Sequence, residues 1–389
     1  MPRRTTVASR FERAGQYPER INVAVVKKKA PTPPAMSLTA LRTKMTKRYG
    51  EGKVTRREAV TDYQVIPTGS LTLDQALGVG GWVRGRTQEI VGVEGAGKTT
   101  TVITSMVEAQ RMYPDEAVAI IDMEQTFDFD WAEKLGLDTS DTRFLHVYPD
   151  DSEDVSDQIK EMARTNLFSL IAVDSIGGME SKQAFEKDAG EHVMGRNAMV
   201  ISRMVKQVAT LARQNNVAII FVNQYRANIG SMSGMDVSAG PKALKYNTTI
   251  KVEMSRGPEQ AKKSKVAWAE DPVPVGQQVK ARVTRNKVFP AGGKAEYWII
   301  NQDTEEHGPI GIDQVDEAVI LANRYGLFQR SGSWYTLPDG AYLNGAAAVV
   351  NHLRSLPDEI ENIRALTLAQ IADGIIAEDK IELDDVETS

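Results

Sequence analysis

The sequence predicts an α/β core on a mostly parallel sheet, with a short helix ahead of it and a small α+β domain behind. Three observations carry this. Residues 92–99, Gly-Val-Glu-Gly-Ala-Gly-Lys-Thr, fit the phosphate-binding pattern G-x-x-x-x-G-K-[ST] at every fixed position. Short apolar runs alternate with helical patterns through the middle of the chain, as in a sheet covered on both faces. From about residue 303 the pattern turns to helices around one tight segment, Gly332-Ser-Trp-Tyr335.

In chain order, residues 1–35 are basic and end in Ala30-Pro-Thr-Pro-Pro-Ala35, a composition suited to an extended linker. Ser37 to Tyr49 reads as a short basic helix, capped by Ser37 and closed by Gly50 and Gly52. The runs 87–93, 117–122, 168–174 and 217–222 have helical stretches between them and predict parallel strands. The runs 248–254, 278–285 and 295–300 lie close together and read as antiparallel additions. Met199 and Met204 read as helix core, and Trp82 and Trp334 as packing residues. Two long irregular stretches remain, about 177–196 and 225–242, and loops of that length inside a compact domain are usually functional. Both carry basic residues, so together they form a candidate channel for single-stranded nucleic acid. The expected divisions are a basic extension (1–35), an N-terminal helix and polymerisation segment (36–65), the core (66–302), the α+β domain (303–375) and an acidic tail (376–389).

Composition narrows the function. The 389 residues exceed one ordinary domain, and 41% apolar content fills a real core. With no cysteine there is neither a disulfide framework nor a thiolate-held metal, which suits a reducing cytoplasm. No apolar run of about 18 residues predicts a membrane span, and no apolar stretch follows Arg3, Arg4 and Arg10 to make a secretory signal. Net charge is only −5 but unevenly spread. Residues 1–60 hold 15 basic and 4 acidic side chains; residues 358–389 hold 2 and 10. A basic head and an acidic tail fit either nucleic acid and a competitor for basic surface, or two solvated ends.

The phosphate-binding stretch implies a nucleoside triphosphate. Its glycines let backbone N–H groups converge on one anion, and the following helix adds its N-terminal dipole. Lys98 reaches the terminal phosphates and the Thr99 hydroxyl a Mg²⁺ ion. The apolar run ending at Asp174 sets a second carboxylate at the same sheet edge, suited to Mg²⁺. Glu124 falls just past another strand end; it either polarises the water that attacks the γ-phosphate or caps a helix. Asn223-Gln224 offers amides at that edge, for a γ-phosphate oxygen or for a turn. His146 and His192 have no second ligand at metal spacing and are expected to bind no metal.

Several spaced motifs, taken in order, then resemble the RecA family of bacterial homologous-recombination proteins. They are Ile66-Pro-Thr-Gly-Ser-Leu-Thr-Leu-Asp74, the phosphate loop, Ile121-Asp-Met-Glu124, Val173-Asp-Ser175, Met194-Gly195, Asn223-Gln224, Ala243-Leu-Lys245, Arg285-Asn-Lys287 and Gly332-Ser-Trp-Tyr335. The resemblance covers roughly residues 37–375. It implies that Gly92, Glu94, Gly95, Ala96, Gly97, Lys98, Thr99 and Thr100 hold ATP, with Asp128 and Trp131 at the adenine. It implies Mg²⁺ on Thr99 and Asp174, Glu124 activating water, and Gln224 sensing the γ-phosphate. Arg285 and Lys287 match lysines that reach the ATP of a neighbouring subunit. The implied DNA-binding set is Met194, Gly195, Arg196, Arg203, Lys206, Arg226, Ile229, Gly230, Gly240 and Lys242, with Met194 and Ile229 wedging between base triplets. The chain departs from the family at Gln125, where His is usual, at Asn228 in place of a basic residue, at Arg285 in place of lysine, and in its basic extension. These departures suggest a divergent version, host- or phage-encoded.

The resulting expectation is an ATP-dependent recombinase. It forms a helical filament on single-stranded DNA, pairs it with homologous duplex DNA and exchanges strands, with DNA-stimulated ATP hydrolysis. A GTPase would need Asn-Lys-x-Asp, and the candidate at Asn286-Lys287 ends in Phe289. A ring-forming helicase or an ATP-gated regulatory protein on the same core is the other reading.

Overall fold

The computed structural model describes residues 36–50, 63–178, 191–226, 237–238, 242–257, 261–265 and 271–372. The chain divides into two units, residues 1–56 and 57–389. In the first, helix α1 (Leu38–Tyr49) follows its sequence signals: the Ser37 side chain accepts from Ala40 N, and Gly50 closes the helix at φ +97°.

The second unit opens with strand β1 (Val65–Ile66), helix α2 (Leu71–Leu77) and β2 (Trp82–Val83), which pairs antiparallel with β1. Then come β3 (Thr87–Gly92), α3 (Lys98–Met112), β4 (Ala117–Asp122), α4 (Phe129–Lys134), β5 (Phe144–Val147), α5 (Ser152–Thr165) and β6 (Phe168–Asp174). They are followed by α6 (Glu191–Asn215), β7 (Ala218–Arg226), β8 (Val237–Ser238), α7 (Lys242–Asn247) and β9 (Ile250–Arg256). The strands β10 (Lys262–Ser264), β11 (Val273–Asn286), β12 (Lys294–Ile300) and β13 (Gly311–Ile312) complete one large sheet.

Across that sheet the order is β13-β12-β11-β9-β3-β7-β6-β4-β5. The six strands from β9 to β5 are parallel, and β11 to β13 extend the sheet antiparallel. The placement of β9 corrects the sequence reading, which made the 248–254 run antiparallel with its neighbours. It pairs antiparallel with β11 but parallel with β3. The physical reason is the connection from β7: it carries α7 and is long enough to cross over β3. The edge strand β5 was not foreseen, because four residues, Phe-Leu-His-Val, are too few to show a period.

Both faces of the sheet are covered, which explains its near-continuous apolar strands. On one face Trp82, Val102, Ile103, Met106 and Ile90 pack together, and Trp82 Nε1 donates to Ser105 Oγ at 2.9 Å. On the other, α5 and α6 pack through Val155, Ile159, Met204, Val205 and Val208. Met204 is buried as expected, but Met199 is 72% exposed. Met199 precedes Ile201 by two residues, about 200° round the helix from the packed stripe. The structure also begins α6 at Glu191, so Met194, Gly195 and Arg196 lie on a helix rather than in the loop expected to reach residue 196.

The C-terminal part holds α8 (Gln314–Arg324), a three-stranded antiparallel sheet of β14 (Gln329–Ser331), β15 (Trp334–Thr336) and β16 (Tyr342–Asn344), then α9 (Ala346–Arg354) and α10 (Pro357–Ala372). It has a small core of its own, with Phe328, Tyr335, Leu337, Val349, Leu353 and Ile363. Trp334 does pack, but at the surface: it is 40% exposed and stacks on Tyr342 at 4.6 Å. Glu317 of α8 ties this part to the core. Fully buried, its carboxylate accepts from Ser70 Oγ, Leu71 N, Thr72 N and Thr72 Oγ1 at 2.5–3.1 Å. It fills the positive end of α2, where helix N–H groups have no intrahelical partners.

Candidate active site

Strand register brings the site together. Gly92 of β3 pairs with Gln224 of β7 on one side and Met254 of β9 on the other, and Asp122 of β4 pairs with Asp174 of β6. The carboxyl ends of five parallel strands therefore form one edge. β3 and β4 are separated there by β7 and β6, the kind of crevice in which α/β sheets bind ligands.

The phosphate loop, residues 93–97, leaves β3 at this edge and leads into α3. Gly97 sits at φ +84°, where a side chain would be strained and would also press on Ile299. At Gly92 an added Cβ would strike the Met254 carbonyl. Lys98 folds back over the loop, donating to Gly92 O at 3.1 Å and Val93 O at 2.8 Å. Burial lowers its pKa, and Asp174, Glu124 and Glu94 oppose that. The Gly95 carbonyl is held from outside the loop by Gln277 Nε2 at 3.0 Å and Arg256 Nε at 3.3 Å. Neither of these two residues was singled out from sequence; their approach to the loop needed the folded sheet.

Beside the loop, Thr99 Oγ1 donates to Asp174 Oδ2 at 2.7 Å. Burial pushes Asp174 up to about 6, against the Thr99 hydrogen bond, and Glu124 and Asp122 add to the rise. A hydroxyl and a carboxylate are the hard oxygen donors that Mg²⁺ prefers, so these residues fit that ion. Among the described residues no group of three or more His, Asp or Glu is arranged to hold a metal.

Glu124 lies on the same edge. Its Oε1 accepts from Ser175 Oγ at 2.6 Å and Gln224 Nε2 at 2.9 Å. Asn223 fixes the base of Gln224: its Oδ1 accepts from Gln224 N at 2.9 Å and its Nδ2 donates to buried Glu89 at 2.9 Å. Lys98, Thr99, Glu124, Asp174 and Gln224 are thus brought together, although they span 127 positions of sequence. Ser175 had no role of its own in the sequence reading. It stood only within the Val173-Asp-Ser175 motif, and its partner, Glu124, lies just past another strand end.

Other expected residues lie elsewhere or are only partly described. Asp128 caps α4 through Trp131 N at 2.9 Å, and Trp131 packs half-buried against the core. Glu94 and Gly95 are exposed, Ala96 is buried and Thr100 is half-buried. Arg285 pairs in register with Lys251, and Lys251 in turn with Glu89. That puts Arg285 three residues back along the sheet from Gly92, about 10 Å from the edge. Its Nη1 donates to Thr248 Oγ1 at 3.2 Å, and Lys287 Nζ donates to Tyr246 O at 2.7 Å. Neither joins the phosphate loop of its own chain. Arg203 and Lys206 are exposed on α6, as a DNA contact requires. Met194, Gly195 and Arg196 lie in α6, Arg226 ends β7 and Lys242 opens α7, with their side chains outside the described residues. Ile229, Gly230 and Gly240 also lie outside them.

The sheet edge defines a class: an α/β nucleotide-binding core with a phosphate loop, an adjoining acidic strand end and a glutamine bonded to a glutamate on the same edge. Comparison narrows this further. The family model for the RecA N-terminal domain matches residues 36–304. Protein RecA of Thermus aquaticus is 32% identical over 340 residues, covering 87% of this chain and 94% of that protein. Protein RecA of Bacteroides thetaiotaomicron is 31% identical over 85% of this chain and 95% of its own length. Protein RecA of Aquifex aeolicus is 33% identical over 82% and 87%. The chain belongs to the RecA family.

Proposed function

We propose that this chain is an ATP-dependent DNA recombinase that polymerises on single-stranded DNA and pairs it with homologous duplex. Family membership supports the activity, and the convergence of Glu124 and Gln224 beside the phosphate loop supports the mechanism. Lys98 and the loop N–H groups bind the ATP phosphates, while Asp128 and Trp131 hold the adenine. Thr99 and Asp174 would hold Mg²⁺, whose charge would offset that of the phosphates. Glu124 orients the attacking water and draws off its proton, and Gln224 contacts the γ-phosphate.

Gln224 stands two residues before the end of β7, where the 227–241 stretch begins. Its engagement by the γ-phosphate biases that stretch toward DNA binding, so nucleotide and DNA affinities are coupled. Basic residues of α6 and of both loops bind the DNA backbone, and base pairing supplies sequence choice. Arg285 and Lys287 serve the nucleotide of the next subunit; their distance from their own loop supports that assignment. None of the described helices is long and apolar enough to cross a membrane.

Electron microscopy of the protein on single-stranded DNA with a slowly hydrolysed ATP analogue tests this. Extended helical filaments are expected. Discrete hexameric rings, or DNA left bare, would refute the proposal.

A further inference from the structure

Asp122 is the last residue of β4 and is buried, 3% exposed. Each of its carboxylate oxygens accepts a backbone N–H from the loop that follows. Oδ1 takes Glu124 N at 3.1 Å and Oδ2 takes Phe127 N at 2.9 Å. The chain from 123 to 127 therefore wraps round one carboxylate, and the wrap passes Gln125 through φ +54°, in the left-handed region. Met123 N, bonded to Asp174 O at 2.7 Å, anchors the start of the loop to β6. Next to Asp122 stands His146 of β5, its side chain 7% exposed and its Nε2 3.5 Å from Oδ2. Phe127, Phe129 and Tyr148 surround that imidazole with ring centroids 4.2–5.1 Å away.

We propose that Asp122 is a positioning residue for Glu124: its carboxylate fixes the backbone that aims Glu124 at Ser175 and Gln224. This rests on the reading of Glu124 as the group that activates water. A carboxylate is the fitting choice, because an ionised Asp only accepts and both of its partners here only donate. Asparagine keeps the shape but turns one acceptor into an N–H₂ facing an N–H. That leaves a buried donor unpaired and frees one end of the loop. Lys98 and Thr99, both in α3, keep their geometry.

The test combines kinetics with hydrogen exchange. Asp122→Asn should lower kcat for DNA-stimulated ATP hydrolysis by at least about tenfold, with KM and the affinity for a non-hydrolysable ATP analogue changed by less than about twofold. In a Glu124→Gln background the same substitution should change turnover by less than about twofold, because it acts through Glu124. An unchanged kcat for Asp122→Asn, or losses that multiply in the double variant, would overturn the proposal. Normal turnover by Glu124→Gln alone would instead overturn the reading of Glu124. Exchange in the unmodified protein needs no variant to fold. The amides of Glu124 and Phe127 should exchange at least about tenfold more slowly than those of Gln125 and Thr126, which have no hydrogen-bond partner among the described residues. Equal rates at all four would show that Asp122 does not hold the loop.

Discussion

Glu124 shows most directly how one side chain depends on three strands. It follows β4, and its partners Ser175 and Gln224 belong to the ends of β6 and β7. Glu124→Gln keeps the size and one acceptor oxygen but loses the carboxylate that we propose takes a proton from the attacking water. Hydrolysis should slow by roughly 100-fold or more, with ATP and DNA binding retained. Steady-state turnover at the unmodified rate would remove Glu124 from catalysis. Lys98→Ala removes a cation folded over the loop and should weaken ATP binding by roughly tenfold to a hundredfold. Equilibrium titration with a fluorescent ATP analogue would measure it. Unchanged affinity, together with normal filament growth, would contradict the assignment of this loop.

Individual elements differ in how they are anchored. Helix α1 is specified locally, by a serine at its start and a glycine at its end. Helix α2 depends on a residue far along the chain, because Glu317 of α8 accepts two of its N-terminal N–H groups. Burial raises Glu317 from 4.5 to about 7, against four hydrogen bonds that favour ionisation. Asp74, also buried, is raised well above its ordinary value by burial, with Glu317 adding to the rise. The sign follows from linkage. A carboxyl whose pKa rises on folding contributes stability that is complete below about pH 4.5 and lost as pH climbs through about 7. The range corresponds to something on the order of 3 kcal/mol. Melting curves of the unmodified protein and Glu317→Gln from pH 4.5 to 8 should show the former losing ground steadily to the latter. Parallel curves would mean that Glu317 does not titrate in that interval.

At the scale of the whole molecule, the large sheet separates two sets of proposed functional groups. The phosphate loop, Glu124 and Asp174 share one edge, while Arg285 lies back along the sheet. If Arg285 and Lys287 act on a neighbour's ATP, Arg285→Ala and Lys287→Ala should each lose DNA-stimulated ATPase activity. Mixing either with Lys98→Ala should restore part of it, since some interfaces then combine two intact halves. Activity that stays at the level of the separate variants over all mixing ratios would argue against a shared site. Charge distribution gives a second expectation. The last fourteen residues hold Glu378, Asp379, Glu382, Asp384, Asp385 and Glu387 against one Lys380. Removing them should strengthen duplex binding, most at low salt, because an anionic segment competes with phosphate for basic surface. Equal duplex affinities across a salt series would leave the tail without that role.

The phosphate loop, the helix behind it, α1 with its caps and the acidic strand ends at Asp122 and Asp174 were all legible from residue order. Each is a local conformation written by neighbouring residues: glycines where φ turns positive, a serine where a helix opens, apolar runs where a strand is covered on both faces. Strand partners were not legible in that way. Nothing near Ile250 announces a parallel neighbour in β3, and nothing near Arg256 or Gln277 announces the Gly95 carbonyl. The same holds for Glu317 at α2 and for Ser175 against Glu124. Those pairings join residues far apart in sequence, and their energy exists only once the sheet has closed up and excluded water. Local pattern therefore specified the chemical groups, and long-range packing chose which of them meet.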